Sequence, residues 1–542
     1  MSAVADTRTP ISPGPAVKPA SVNFNQPVDI RFVLGFLAVI AGALFFMAYS
    51  IYSDISDSGV FPKSVLPYLL LGLAMLIALG FEFVNGFHDT ANAVATVIYT
   101  HSLKPQIAVV WSGCWNLIGV LTSTGAVAFG IVSLLPVELI LQVGSSAGYA
   151  MVFALLISAI IWNLGTWWLG LPASSSHTLI GSIVGVGVAN AMMRGQDGTA
   201  GVDWSKVTEI GYALLLSPVF GFVLAGLLLV ICKALIPVKA LYEAPKSDAP
   251  PPTWIRGLLV LTCTLVSFFH GSNDGQKGMG LIMPILIGVA PTAYALNHSL
   301  PTSYTESFVK ASDAASKVVD SHASGFTVIG DPRPAVTQYI HDHKIAEGTY
   351  PSLSLLIKDV AAQVKDSGSL ANTPAGNIQN IRNDMYLASE ALRVLGKDKE
   401  NELKADDVKA IATYKKTLDN ATKFIPTWVK IVVAIALGLG TMIGWKRIVI
   451  TVGEKIGKTH LTYGQGAAAE LVAAATIGAA DGLGLPVSTT HVLSSGIAGT
   501  MLANGSGMQW STLRNIALGW ILTLPAAILL SGTLFVIFRH LF

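Results

Sequence analysis

The sequence predicts an all-α polytopic membrane protein: two inverted repeats with broken, re-entrant half-helices, plus one small helical soluble insertion. Composition is the first reason. Of 542 residues, 52% are hydrophobic and 12% charged, whereas soluble domains carry about 25% charged residues. Several apolar runs approach or exceed the roughly 18 residues that read as a span. The second reason is an acid motif that occurs twice inside apolar sequence, as Gly86-Phe87-His88-Asp89 and as Gly271-Ser272-Asn273-Asp274. The third is a hydroxyl motif that also occurs twice, Pro172-Ala173-Ser174-Ser175-Ser176-His177 and Pro486-Val487-Ser488-Thr489-Thr490-His491. Matched polar interruptions in two halves of a membrane chain point to a site between internal repeats.

In chain order, residues 1–29 are polar and rich in Pro, Ala and Ser, without a basic segment leading into an apolar one. They read as a disordered tail, not a cleaved signal. Residues 30–64 hold an extra N-terminal span and its loop. The first repeat is expected over 65–236, with a helix break at Asn85-Gly86 and spans near 106–134, 147–169 and 208–236. Residues 237–253, with Lys239, Lys246 and three consecutive prolines, form a linker. The second repeat opens over 254–291. From 292 to 426 the chain turns polar with mixed charge, and helical amphipathic spacing recurs at 350–365, 378–395 and 408–422. This is the insertion, too polar to span. Spans resume over 427–542. The basic loops at 233–256 and 446–458 belong on the cytoplasmic side, which leaves the insertion outside.

The net charge of +2 gives no sign of nucleic-acid binding, and Cys114, Cys232 and Cys263 have neither disulfide nor zinc spacing. The tryptophans read as interfacial or packing residues.

The chemistry sits in the two motif pairs. Proline suits a first helical turn and Ser or Thr caps it. A helix start offers free N–H groups and a positive dipole end to an anion. Ser174, Ser175, Ser176, Ser488, Thr489 and Thr490, with Asn92 and Asn273, are the expected set for binding a small, highly charged oxyanion, and His177 and His491 are secondary candidates. An ordinary helix cap explains one copy as well as an anion site does; two matched copies favour the site. Asp89 and Asp274 would repel a phosphate dianion. They make sense when protonated, when bonded to the anion's own OH, or when holding an accompanying cation or metal. In register, His88 faces Asn273 and Asn92 faces Lys277. The imidazole titrates near neutral pH. The Lys277 ammonium takes space a coupling cation would otherwise fill, or simply pairs with Asp274 three residues earlier. Glu82, seven residues before Asp89, shares its helical face and is a further proton or cation candidate.

These motifs, with Trp162-Asn163-Leu164-Gly165-Thr166-Trp167 and Gly275-Gln276-Lys277-Gly278, resemble the inorganic phosphate transporter (Pit) family, most closely its bacterial low-affinity branch. The likeness covers about 65–291 and 427–540. It implies inverted repeats around a central phosphate site, and symport of phosphate with protons, the phosphate crossing as a neutral complex with a divalent metal. Much of the family has Asn where His88 and Lys277 stand, and those departures argue against sodium coupling, the alternative reading. The expected partners are inorganic phosphate, a proton, a divalent metal ion and the lipid bilayer of a bacterial cytoplasmic membrane. A homodimer is left open, and no cofactor and no nucleic acid are expected. An anion channel is a rival, but filters use carbonyl runs or charge rings. A hydrolase is another; adjacent Ser176 and His177 on one helix lack nucleophile–base geometry, and no enzymatic activity is expected.

Overall fold

A computed structural model describes residues 29–541, apart from 61–64, 136, 142–143, 246, 324, 326 and 398–402. The expected N-terminal tail, Lys246 and the side chain of Asn92 lie outside the described residues. The helices run in the order α1 (Ile30–Asp57), α2 (Leu66–Tyr99), α3 (Pro105–Thr122), α4 (Ala126–Val132), α5 (Val137–Leu141), α6 (Ser146–Trp168), α7 (Ser175–Met193), α8 (Trp204–Leu235), α9 (Lys239–Tyr242), α10 (Thr253–Val289) and α11 (Pro291–Tyr294). Five polar helices follow: α12 (Ser303–Ser321), α13 (Arg333–Asp342), α14 (Thr349–Ser367), α15 (Ala375–Lys397) and α16 (Ala405–Thr422). The chain ends with α17 (Thr427–Thr441), α18 (Lys446–Glu454), α19 (Tyr463–Gly482), α20 (Thr489–Asn504) and α21 (Trp510–Leu541). Seven of these helices are long and apolar enough to cross a membrane, or up to nine spans if each of two bent pairs counts as one.

One expectation fails at the acid motifs. The break at Asn85-Gly86 is absent: α2 runs unbroken for 34 residues and α10 for 37. The glycines serve close approach instead of a kink. A Cβ on Gly86 would overlap the Leu437 carbonyl of α17, and one on Gly271 would overlap the Asn116 carbonyl of α3. Each motif thus lies flat against a helix from the other half of the chain. Gly271→Ala must push α3 and α10 apart, and overpacking of this kind costs roughly 1–3 kcal/mol or more. We expect a lowered thermal midpoint in detergent; an unchanged midpoint would show that the helices are not this close.

A second correction concerns 106–134. It is two helices, α3 and α4, meeting at 74° across a turn where Gly125 takes φ 89°. The basic stretch 446–458, expected as a loop, holds α18.

The bundle has two distinguishable ends. At one, Tyr99 donates to Glu454 (2.8 Å) and Arg256 Nε donates to the Ser102 carbonyl (2.8 Å), which gathers the basic loops. At the other, the five polar helices dock. Arg393 reaches Asp203 at 3.0 Å, Lys397 reaches Glu209 at 2.8 Å, and Tyr294 and Trp428 both donate to Asp54. Burial opposes the charge on Glu390 of α15, yet Lys423 and Arg393 hold its carboxyl below its ordinary value.

The hairpin α6–α7 opens toward the docked helices, where Arg539 meets Ser146. The hairpin α19–α20 opens toward the basic end, where Gly464 packs on Tyr242. The grip is crossed: α7 packs on α21, and α20 packs on α8. Two hydrophobic cores result. One runs from the outer bundle into the docked helices, through Phe81, Ile282 and Phe308. The other lies at the basic end around Val97, Val449 and Ile497. Between them is a layer of buried polar residues.

Candidate functional site

That layer forms where the hairpins turn. Gly170 and Gly484 take φ +68° and +70° and end α6 and α19. Leu171 N–H returns to the Thr166 carbonyl and Leu485 N–H to the Ala480 carbonyl, the same helix-terminating turn twice. Pro172 and Pro486 then forbid continuation. Ser174 Oγ accepts from His177 N–H at 3.2 Å and Ser488 Oγ from His491 N–H at 3.1 Å, so both serines cap the returning helices.

The two tips meet. Ser176 donates to the Val487 carbonyl of the opposite tip at 2.6 Å. The His177 and His491 rings lie 4.6 Å apart, and His491 stacks on Trp520 at 4.0 Å. Trp520 Nε1 in turn donates to the Pro172 carbonyl. Asn273 donates to the Leu485 carbonyl at 3.1 Å and so fixes the second tip.

The aspartates lie beneath this junction. Asp89 accepts from Ser175 of the first tip at 2.9 Å and from Thr490 of the second. His88 Nδ1 is 3.4 Å from Asp89 Oδ1, and its Nε2 is 3.2 Å from Thr166 Oγ1. Lys277 Nζ lies 2.8 Å from Asp274 Oδ1 and donates to Ser175 Oγ at 3.1 Å. A continuous polar chain therefore runs Asp274–Lys277–Ser175–Asp89–Thr490. It is shut off from solvent, with Asp89 3% and Asp274 0% exposed.

His270, which sequence reasoning missed, completes the group. Its Nε2 is 3.4 Å from Asp274 Oδ2, and its Nδ1 is 2.9 Å from Asn116 Oδ1. Ligand atoms of Asp89, His270 and Asp274 all lie within 4.8 Å of one another, so this trio could hold a cation. The signal was available: His270 stands one helical turn before Asp274. Glu82 is buried against Gly278, beside Lys277. Glu470, also missed, is buried and accepts from Thr96 and from Thr262, the latter at 2.5 Å.

Three buried atoms at the junction have no hydrogen-bond partner among the described residues: His177 Nδ1, Thr489 Oγ1 and His491 Nε2. Buried polar atoms left so cost about 1–3 kcal/mol each, and a tetrahedral oxyanion at two helix starts would answer them.

The profile of a family described as the phosphate transporter family matches residues 85–531. The chain belongs to the phosphate transporter family. The low-affinity inorganic phosphate transporter PitA of Escherichia coli (strain K12) is 42% identical over 489 residues, covering 86% of this chain and 96% of that protein. The low-affinity inorganic phosphate transporter of Buchnera aphidicola subsp. Acyrthosiphon pisum (strain APS) is 37% identical over 89% of this chain and 97% of its own. Such relatives place the chain in the bacterial low-affinity branch of the phosphate transporter family. A solved structure, the sodium-dependent phosphate transporter, aligns with 88% of this chain and 100% of its own at 20% identity and a TM-score of 0.48. The family and these relatives make the chain a multi-pass membrane protein and a phosphate transporter, from a family of transporters, not enzymes.

Proposed function

We propose that this member of the phosphate transporter family is a proton-coupled symporter of the bacterial cytoplasmic membrane. It carries phosphate at the junction of the hairpin tips, accompanied by a divalent metal as a neutral complex. The observation that carries the reading is the seat of Lys277. Its ammonium stands between Asp274 and Ser175, within the acid cluster where a sodium ion would otherwise sit. A fixed charge there leaves protons on Asp89, His88 and His270, or the metal riding with phosphate, to supply the positive charge the anion needs. The metal would be cargo, held by Asp89, His270 and Asp274 once Lys277 gives way.

In this reading the phosphate is held by the N–H groups of α7 and α20, with Thr489, His177 and His491 as side-chain donors. Ser174 and Ser488 shape the seat as caps. Ser175 and Thr490 link the seat to Asp89, and Ser176 links tip to tip. The opposed hairpins and crossed packing support two inverted repeats that expose the site alternately. The clustering of basic loops at one end supports a cytoplasmic assignment for that end, with the docked helices outside.

The test is labelled-phosphate uptake by purified protein in liposomes under imposed pH, sodium and metal gradients. We expect accumulation driven by an inward proton gradient, collapsed by an uncoupler, unaffected by sodium removal and stimulated by magnesium or another divalent ion. Strict sodium dependence would overturn the reading of Lys277. Non-saturating flux that never exceeds equilibrium would make the protein a channel.

A further inference from the structure

Three separate pockets lie beneath the docked helices, and each shares wall residues with the next. The outermost is an open groove where α13 and α15 meet the bundle, walled by Gln196, Arg333, Thr337, His341 and Asn383. It shares Thr337 and His341 with a second pocket that runs inward past Tyr386 and Glu390. The second shares Ser133, Tyr386 and Glu390 with a third, whose floor is Phe129 and Val132 of α4 with Met283, Pro284 and Ile287 of α10. Pro284 lies seven residues beyond Lys277 on α10, which is about 10 Å along the helix.

Arg382 and Lys423 line this innermost pocket. Arg382 is 5% exposed, and among the described residues no carboxylate pairs with it. Its Nη1 donates to Asn383 Oδ1 at 3.2 Å, its guanidinium lies 5.3 Å from the centre of the Tyr386 ring, and its Nε has no partner. Glu390, the acid of the same pocket, is already engaged by Arg393 at 2.6 Å and Lys423 at 3.5 Å. Burial pulls the Arg382 guanidinium below its ordinary value, and only Tyr386 offsets this. A guanidinium taken out of water without a counter-ion is costly unless an anion answers it. Its planar donor fork matches a tetrahedral oxyanion.

We propose that Arg382 is an outer anion subsite that takes inorganic phosphate from the groove before it descends along α10 to Lys277. The subsite rests on the phosphate substrate of the family and on the hairpin junction as the central seat. The docked helices then serve as a collecting roof over the transport bundle. The groove opens beside polar side chains of α13 and α15, so the occupant is the dissolved ion.

The experiment is uptake by liposomes with the docked helices facing out. Arg382→Gln should raise the apparent KM for phosphate about tenfold, the loss expected for one charge-assisted contact, while the rate at saturating phosphate falls less than about twofold on the same basis. Arg382→Lys, which keeps the charge, should recover most of the affinity. An unchanged KM in folded Arg382→Gln protein overturns the proposal. So does a loss of rate that merely tracks loss of folded protein. A second arm does not depend on Arg382 folding. In Thr337→Cys, an impermeant anionic thiol reagent should label the passage, reduce uptake, and be slowed by millimolar phosphate; the parent chain controls for Cys114, Cys232 and Cys263. Adding Asp89→Asn disables the central seat, and phosphate should still slow the labelling. Labelling indifferent to phosphate in both backgrounds overturns the subsite, whereas transport lost at every phosphate concentration reports on the central seat.

Discussion

Asp89→Asn is expected to reduce phosphate uptake to roughly 1% or below, from the ~3–5 kcal/mol lost when a buried charge network loses one member. The substitution preserves shape. It removes the one carboxylate that accepts from both hairpin tips, from Ser175 on one side and Thr490 on the other. An amide also takes no proton at physiological pH, so the cation proposed to travel with the anion loses its seat. Purified Asp89→Asn protein should remain monodisperse, because the amide still fits among hydroxyls that can rotate. Labelled uptake, normalised to folded protein, is the measurement. More than half of normal uptake would remove Asp89 from the coupling mechanism.

The second large effect is expected at Lys277. Lys277→Asn removes the ammonium that lies 2.8 Å from Asp274. It leaves Asp89, His270 and Asp274 within 4.8 Å of each other without a fixed positive charge. Two carboxylates so close do not both stay ionised without a counter-ion; one takes up a proton or the pair recruits a cation. Sodium-free uptake at neutral pH should fall by about tenfold or more, a loss of ~1.4 kcal/mol or greater, and added sodium should restore part of it. Acid pH should restore part as well, because protonating one aspartate relieves the same repulsion. A variant with normal uptake, no sodium response and an unshifted pH profile would reduce Lys277 to a structural partner of Asp274.

The spans were legible because apolar runs of sufficient length have few alternatives, and the hairpin turns because Gly, Pro and three hydroxyls occur in the same order twice. The amphipathic stretches at 350–365, 378–395 and 408–422 appear as α14, α15 and α16. Glycine was the ambiguous letter. In Gly86 and Gly271 it reads equally as a kink or as a close helix contact, and only the carbonyls of Leu437 and Asn116 decide between them. His270 was within reach of helical periodicity from Asp274. Asn116, Thr166 and Glu470 were not, since their partners come from distant parts of the chain. Nor could composition reveal that Arg382 is buried without an acidic partner among the described residues, because that depends on which face of α15 meets the bundle.

The crossed grip of the hairpins also constrains how the molecule comes into being. The helix that covers α7 is α21, the last of the chain. On a ribosome moving at roughly 5–20 residues per second, the early hairpin waits on the order of tens of seconds for its cover. Until then the face bearing Gly181 and Gly185, which packs on Leu524 and Ile528, lacks its cover. Damage to α21 is therefore felt at α7 and its tip, where Trp520 holds the Pro172 carbonyl just before Ser174–His177.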